Sequence, residues 1–268
     1  MSTDHPALLV PVALDGTSER AIKVAQDLAK GREVRLFSWT SDEGDAAAAK
    51  RYLAEMADDL EGRWSVEVAC TDDHEPSAAI ARAAGDAGAT VCMATERAGR
   101  WGQSVKGSTG QAVVQAAGRA ILVGPHVGAS RNGDQRSLLV CVDGSRAAEQ
   151  VLPLARAWAK DQAMDLRFVR VVPPATPYPI EPSGDDDQPW TYLCDLSNAC
   201  GHPRGTGGSV AVLYGDPAEE IARHARHASL VAMATKAEHG LDLALRRSTA
   251  MRVVHRSPCP VLLLKVPA

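Results

Sequence analysis

The chain repeats itself once, and the repeat limits the fold more than any other feature. Each half opens on an apolar run that ends in Asp-Gly: Leu8 to Gly16, then Leu138 to Gly144. Later in each half comes a Met-Ala-Thr block, Val91 to Thr95 and Val231 to Thr235. A Ser-Thr pair follows in both, Ser108-Thr109 and Ser248-Thr249. The period is far too long for a solenoid unit, so the repeat reads as two copies of one domain. Each copy of about 130 residues is near the commonest domain size and long enough to bury its own core. The expected layout is domain 1 over 1–127, a short Gly/Ser/Asn-rich linker over 128–136, and domain 2 over 137–268.

Within each copy, short apolar runs without helical period alternate with stretches whose apolar residues recur at helical spacing. The first copy reads as strands near 7–14, 34–39, 64–70, 89–95 and 120–124. Helices lie between them, near 18–30, 46–60, 76–86 and 108–117. The second copy predicts strands at 137–142, 165–172, 209–214, 229–234 and 260–265, with helices near 146–160, 217–227 and 248–256. It is longer, chiefly between its second and third strands. There Pro173 to Gly208 is rich in Pro, Gly and Asp and reads as loop, with one short helix near Trp190 to Cys200. Alternation of strand and helix predicts an α/β fold: two tandem Rossmann-like domains, each a five-stranded parallel sheet with helices on both faces. Ligands of such sheets bind beyond the carboxyl ends of the strands, where strand order reverses. Asp15, Trp39 and Thr95, with Asp143, Val171 and Thr235, fall at those ends.

Composition narrows the function classes. Hydrophobic residues are 45% and charged residues 23% of the chain, ordinary for a globular protein. The formal net charge of −4 argues against a nucleic-acid or membrane-surface binder. No apolar run is long enough to span a bilayer, and the N-terminus lacks the pattern of a signal peptide; the expected location is cytoplasmic. Of the six cysteines, Cys70, Cys92, Cys141 and Cys259 sit in or beside apolar runs and read as small hydrophobes. Cys194, Cys200 and His202 cluster loosely. The grouping lacks a known metal-ligand spacing, so loop cysteines are the expectation and no metal is assigned.

With these blocks in place, the chain resembles the universal stress protein family in its tandem two-domain form. The strand-Asp-Gly starts carry the resemblance, with Gly215-Asp216-Pro217-Ala218-Glu219-Glu220-Ile221 and its weaker echo His74 to Ile80. The closing Arg256-Ser257-Pro258-Cys259-Pro260-Val261 completes it. The family contains members that bind ATP and members that do not. Binders usually carry Gly, two residues, Gly, nine residues, then Gly-Ser or Gly-Thr. Those glycines let backbone N–H groups approach phosphate at a helix N-terminus. Here the first copy reads Ala94, Arg97 and Gly107-Ser108, keeping only the last element. The second reads Ala234, Ala237 and Arg247-Ser248 and keeps none of the glycines. The resemblance implies site residues Ala13, Asp15, Trp39, Ala94, Arg97, Gly107, Ser108 and Thr109 in domain 1. In domain 2 it implies Asp143, Val171, Ala234 and Ser248. Two readings follow for domain 1: a decayed site, or retained ATP or other adenine nucleotide, with Gly99, Gly102 and Gly110 giving freedom and Lys106 and Arg97 giving charge. For domain 2 the lost glycines argue for decay. Asp15 and Asp143 can lie beside the nucleoside or simply cap the next helix. Trp39 can stack on a base or fill its space.

Other chemistry finds no support. Lys106-Gly107-Ser108 inverts the Gly-Lys-Ser order of a P-loop and follows the wrong strand. His224 and His227 read as an exposed basic face. No nucleophile elbow frames a serine. The resulting expectation is a stress-response protein that binds and regulates rather than catalyses, with degenerate nucleotide sites. The alternative is a nucleotide-binding protein, even a slow ATPase, using only the first domain. The expected assembly is an intramolecular pseudo-dimer of the two domains, open to further homodimerisation and to a protein partner.

Overall fold

Leu8-Leu9-Val10-Pro11 is apolar at every position and buried at every position, as a strand covered on both faces must be. It forms β1 (Leu8–Pro11) in a computed structural model that describes residues 7–13, 18–29, 32–70, 76–95, 109–128, 136–174, 188–201, 210–236 and 248–267. The chain divides into two compact units, Met1–Pro125 and His126–Ala268.

In the first unit β1 is followed by α1 (Glu19–Leu28), β2 (Glu33–Thr40), α2 (Glu43–Asp58), β3 (Arg63–Cys70), α3 (Pro76–Asp86), β4 (Thr90–Ala94), α4 (Thr109–Ala117) and β5 (Arg119–Val123). The strands lie in the order β3-β2-β1-β4-β5, each pair parallel. The helix α1 buries Ala21, Ile22, Val24, Ala25 and Leu28, the stripe its periodicity predicts. Asp42 caps α2, its carboxylate accepting from the Gly44 and Asp45 amides at 2.6 and 3.2 Å.

The second unit contains β6 (Ser137–Cys141), α5 (Arg146–Glu149), α6 (Leu152–Gln162), β7 (Asp165–Val172), α7 (Gln188–Ala199), β8 (Val210–Tyr214) and α8 (Pro217–His224). After α8 a 3-10 turn (Ala225–His227) leads to β9 (Leu230–Lys236), α9 (Thr249–Arg256) and β10 (Val261–Val266). Its strand order is β8-β7-β6-β9-β10, again parallel throughout. Both units are therefore doubly wound, as expected, with strand order reversing between β1 and β4 and between β6 and β9. The core of the second unit is led by Trp158, Phe168, Leu138 and Leu139, all essentially without exposure.

Several local expectations are corrected. The single helix foreseen over 146–160 is two. Pro153 lacks an N–H and its ring would clash with the Glu149 carbonyl in a continuous helix, so the chain breaks at Gln150-Val151. The helix in the long insertion is real and fuller than expected, Gln188–Ala199. It packs on β7 and β8, as α2 packs on β2 and β3. Cys194 lies on it and not in a loop, and Cys200 lies in the turn just after it; His202 lies outside the described residues. Ser18 does not cap α1. Its hydroxyl accepts from the Ala13 amide at 2.9 Å. Gly110 is a place of close approach rather than of freedom: a Cβ there would stand 3.0 Å from Thr95 Cγ2.

Candidate functional site

The strand register places the repeated blocks more exactly than the sequence does. Leu9 pairs with Val91 and Leu139 with Val231, and the Met-Ala-Thr blocks equate Val91 with Val231. Continued along the strand, this sets Val12 beside Val142. Both amides donate to the next strand, to Phe37 and Val169. The residue in the place of Asp143 is therefore Ala13, not Asp15. Asp15 comes two residues later in the chain, among residues 14–17, which lie outside the described residues. The two Asp-Gly pairs thus look alike in sequence and stand at different points of the backbone.

Of the expected site residues in the first unit, Ala13 is buried at the end of β1 and Ala94 is half-buried at the end of β4. Trp39 stacks on Phe37, ring centroids 6.2 Å apart, on the same face of β2. Thr109 opens α4. Arg97, Gly107, Ser108, Lys106, Gly99 and Gly102 lie outside the described residues.

The second unit brings all four of its expected residues together. A cleft of about 890 Å³ opens at the carboxyl ends of β6, β7 and β9, at the point where strand order reverses. Asp143, Val171, Ala234 and Ser248 line it, with Thr235, Lys236 and Arg170. Asp143 does not cap the helix that follows. Its Oδ1 accepts from the Ser145 amide at 2.9 Å, an Asx turn, and Ser145 then caps α5 by accepting from the Ala148 amide at 3.1 Å. Gly144 between them takes φ +91°, and a Cβ there would stand 3.2 Å from the Arg170 guanidinium carbon. Glycine lets the turn and the arginine coexist.

At the opposite wall, Ser248 caps α9, its hydroxyl accepting from the Met251 amide at 3.2 Å. The hydroxyl proton stays available, and Thr249 and Ala250 sit in the first turn, whose amides have no intrahelical acceptor. The helix is held in place from behind. Asp216, at the N-cap of α8, accepts from the Glu219 amide at 3.1 Å and from Arg252 Nη2 of α9 at 2.8 Å. Arg256 adds an ion pair with Glu219 at 3.3 Å. Burial would raise the Asp216 carboxyl, but the Arg252 hydrogen bond and charge and the backbone amides outweigh it and hold the group below its ordinary range. A depressed carboxylate stabilises the fold above its unfolded value and loses that stabilisation as pH falls through its folded one. Asp216→Ala removes cap and ion pair and costs about 1–2 kcal/mol. Asp216→Asn keeps a capping oxygen, costs less than Ala, and its deficit closes on acidification. Thermal melts of the three proteins between pH 7 and pH 3 check both statements.

A further cluster, which touches the cleft through Arg170, was not foreseen from sequence. Tyr192 of α7 donates to Glu149 Oε1 at 2.9 Å, and Arg170 stands over its ring, 5.5 Å from the centroid. Burial, then the hydrogen bond and charge of Glu149, push the Tyr192 phenol up, while Arg170 opposes. The residues were hidden because Tyr192 lies in the insertion and Arg170 inside a strand that otherwise reads as core. Cys141, on the cleft floor, has its thiol pushed up by burial and stays protonated at neutral pH. Among the described residues no group of His, Cys, Asp and Glu could hold a metal ion, and no helix is long and apolar enough to cross a membrane.

Comparison with known proteins bears on the fold. Residues 135–265 match the sequence profile described as the universal stress protein family. No curated protein sequence matches the chain. Among solved structures, a universal stress protein from Archaeoglobus fulgidus is 19% identical over 97% of this chain and 96% of its own, with a TM-score of 0.67. A functionally unknown protein from Pseudomonas aeruginosa PAO1 is 18% identical over 97% and 92%, also at 0.67. The cytoplasmic domain of a prokaryotic cation chloride cotransporter is 13% identical over 97% and 95%, at 0.53. At these identities the likeness is one of fold.

Proposed function

We propose that this protein is a tandem universal stress protein of the cytoplasm that acts by binding a small ligand and regulating a partner, not by turnover. The observation that carries the reading is the cleft of the second unit. It lies at the switch point of a doubly wound sheet, its volume of about 890 Å³ is that of a small-molecule site, and it gathers Asp143, Val171, Ala234 and Ser248. An adenine nucleotide fits its chemistry. Asp143 has a second carboxylate oxygen for a sugar or base, the start of α9 offers amide donors, and Arg170 and Lys236 supply positive charge. The site is degenerate in its loop rather than in its cleft: Ala234, Ala237 and Arg247 replace the glycines that would let backbone close on phosphate. Weak binding follows.

Turnover has little to work with. Ser145 and Ser248 use their hydroxyl oxygens as helix caps, and the Cys141 thiol is protonated. A side-chain nucleophile needs an adjacent base, and among the described cleft residues no serine hydroxyl or cysteine thiol is hydrogen-bonded to one. Calorimetric titration of the full chain with ATP, ADP and AMP in the presence of Mg²⁺ tests the reading. Saturable binding without nucleotide hydrolysis over hours is expected. Absence of heat with all three at millimolar concentration overturns the nucleotide assignment, and stoichiometric turnover overturns the binding-only role.

A further inference from the structure

The charge in the second cleft has an origin that the family loop does not account for. Arg170 stands on β7 one residue before Val171, and the register equates its position with Ser38 of the first unit. The arginine is thus a property of the second unit alone. Its guanidinium makes no ion pair with any described carboxylate, although Glu149 hydrogen-bonds the hydroxyl of the same Tyr192. The side chain is held instead by stacking on Tyr192 and by contact with the face of Gly144. Tyr192 is in turn pinned by its hydrogen bond to Glu149. A cation–π contact holds the guanidinium over the ring through its face and uses none of its N–H donors, which stay open to another acceptor. Arg170 also lines the cleft. A positioned cation with no ion-pair partner among the described residues, on the wall of a cavity, suits an anion.

We propose that Arg170, stacked on Tyr192 of the insertion helix, is the specificity residue of the second cleft: it meets a negatively charged group of the ligand, so the cleft takes an anionic nucleotide in preference to the neutral nucleoside. The proposal rests on the nucleotide reading above and adds which group supplies the charge. It gives the long insertion a task, since α7 brings the tyrosine that orients the arginine. Arg170 is a binding residue here and Tyr192 a positioning residue.

The test compares adenosine, AMP, ATP and inorganic pyrophosphate as ligands of the full chain, by calorimetry, for wild type, Arg170→Met, Arg170→Lys and Tyr192→Phe. Wild type is expected to bind AMP at least 10-fold more tightly than adenosine, about 1.4 kcal/mol. Arg170→Met is expected to lose that preference, its affinities for AMP and adenosine becoming equal within about 2-fold. Arg170→Lys keeps charge without the planar fork and retains part of the preference, which also covers a folding defect in the methionine variant. Tyr192→Phe keeps the ring, loses the Glu149 bond, and weakens AMP by a few-fold. Equal affinity of wild type for AMP and adenosine overturns the proposal, as does wild-type AMP affinity in Arg170→Met. If no adenine compound binds wild type, the nucleotide reading falls and pyrophosphate decides the inference. Arg170-dependent pyrophosphate binding sustains the anion site, and its absence removes it.

Discussion

Phe168→Ala is expected to destabilise the second unit by about 3–5 kcal/mol, the cost of emptying an aromatic site in a packed core. Phe168 is 1% exposed, near the middle of β7, which pairs with β6 on one side and β8 on the other. Strands on both sides and helices on the faces leave the surroundings little room to collapse into the void, which places the cost high in the range. Against the roughly 5–15 kcal/mol that holds a domain together, that loss is most of the margin. Denaturant unfolding followed by Trp158 fluorescence, another fully buried group of the same unit, should show the midpoint drop with little change in slope. A loss under about 1 kcal/mol would mean that this strand is not the core it forms here.

Ala234→Trp is expected to abolish ligand binding at little cost to folding. Ala234 sits near the carboxyl end of β9, half-buried and on the cleft wall, so an indole there enters the cleft rather than the core. A ring across the site clashes with any nucleotide-sized occupant and should weaken binding at least 10-fold, about 1.4 kcal/mol or more. Ala234→Gly works the other way. It restores the first glycine of the phosphate loop and should hold or raise affinity. Unchanged nucleotide affinity in the tryptophan variant would move the site out of this cleft.

The sheet order was legible because a doubly wound sheet has few alternatives once strands and helices alternate, and because β1 is apolar throughout and β6 and β9 are apolar except at one end. The cleft residues of the second unit were legible because repeat and resemblance agreed on them. What the sequence hid was backbone register. Asp-Gly follows an apolar run in both halves, yet the strands match Ala13 with Asp143, two residues ahead of Asp15. A two-residue slip is invisible to patterning and decisive for a site. The break at Gln150 followed from Pro153, a signal that was present and outweighed by helical periodicity on either side. The Arg170–Tyr192 pair joins a strand to a helix across residues rich in Pro, Gly and Asp, and no local spacing encodes such a contact.

These differences change which half matters. The lost glycines of the second copy point to decay, whereas its cleft is open and carries an aspartate and an arginine that the first unit replaces by Ala13 and Ser38. Hydrogen–deuterium exchange of the full chain with and without saturating ATP and Mg²⁺ tests this most directly. Slowed exchange is expected at residues 143–149, around 234–236 and at 248–251, with the first unit unchanged. Slowed exchange confined to the first unit, or none in either, would contradict a ligand site in the second.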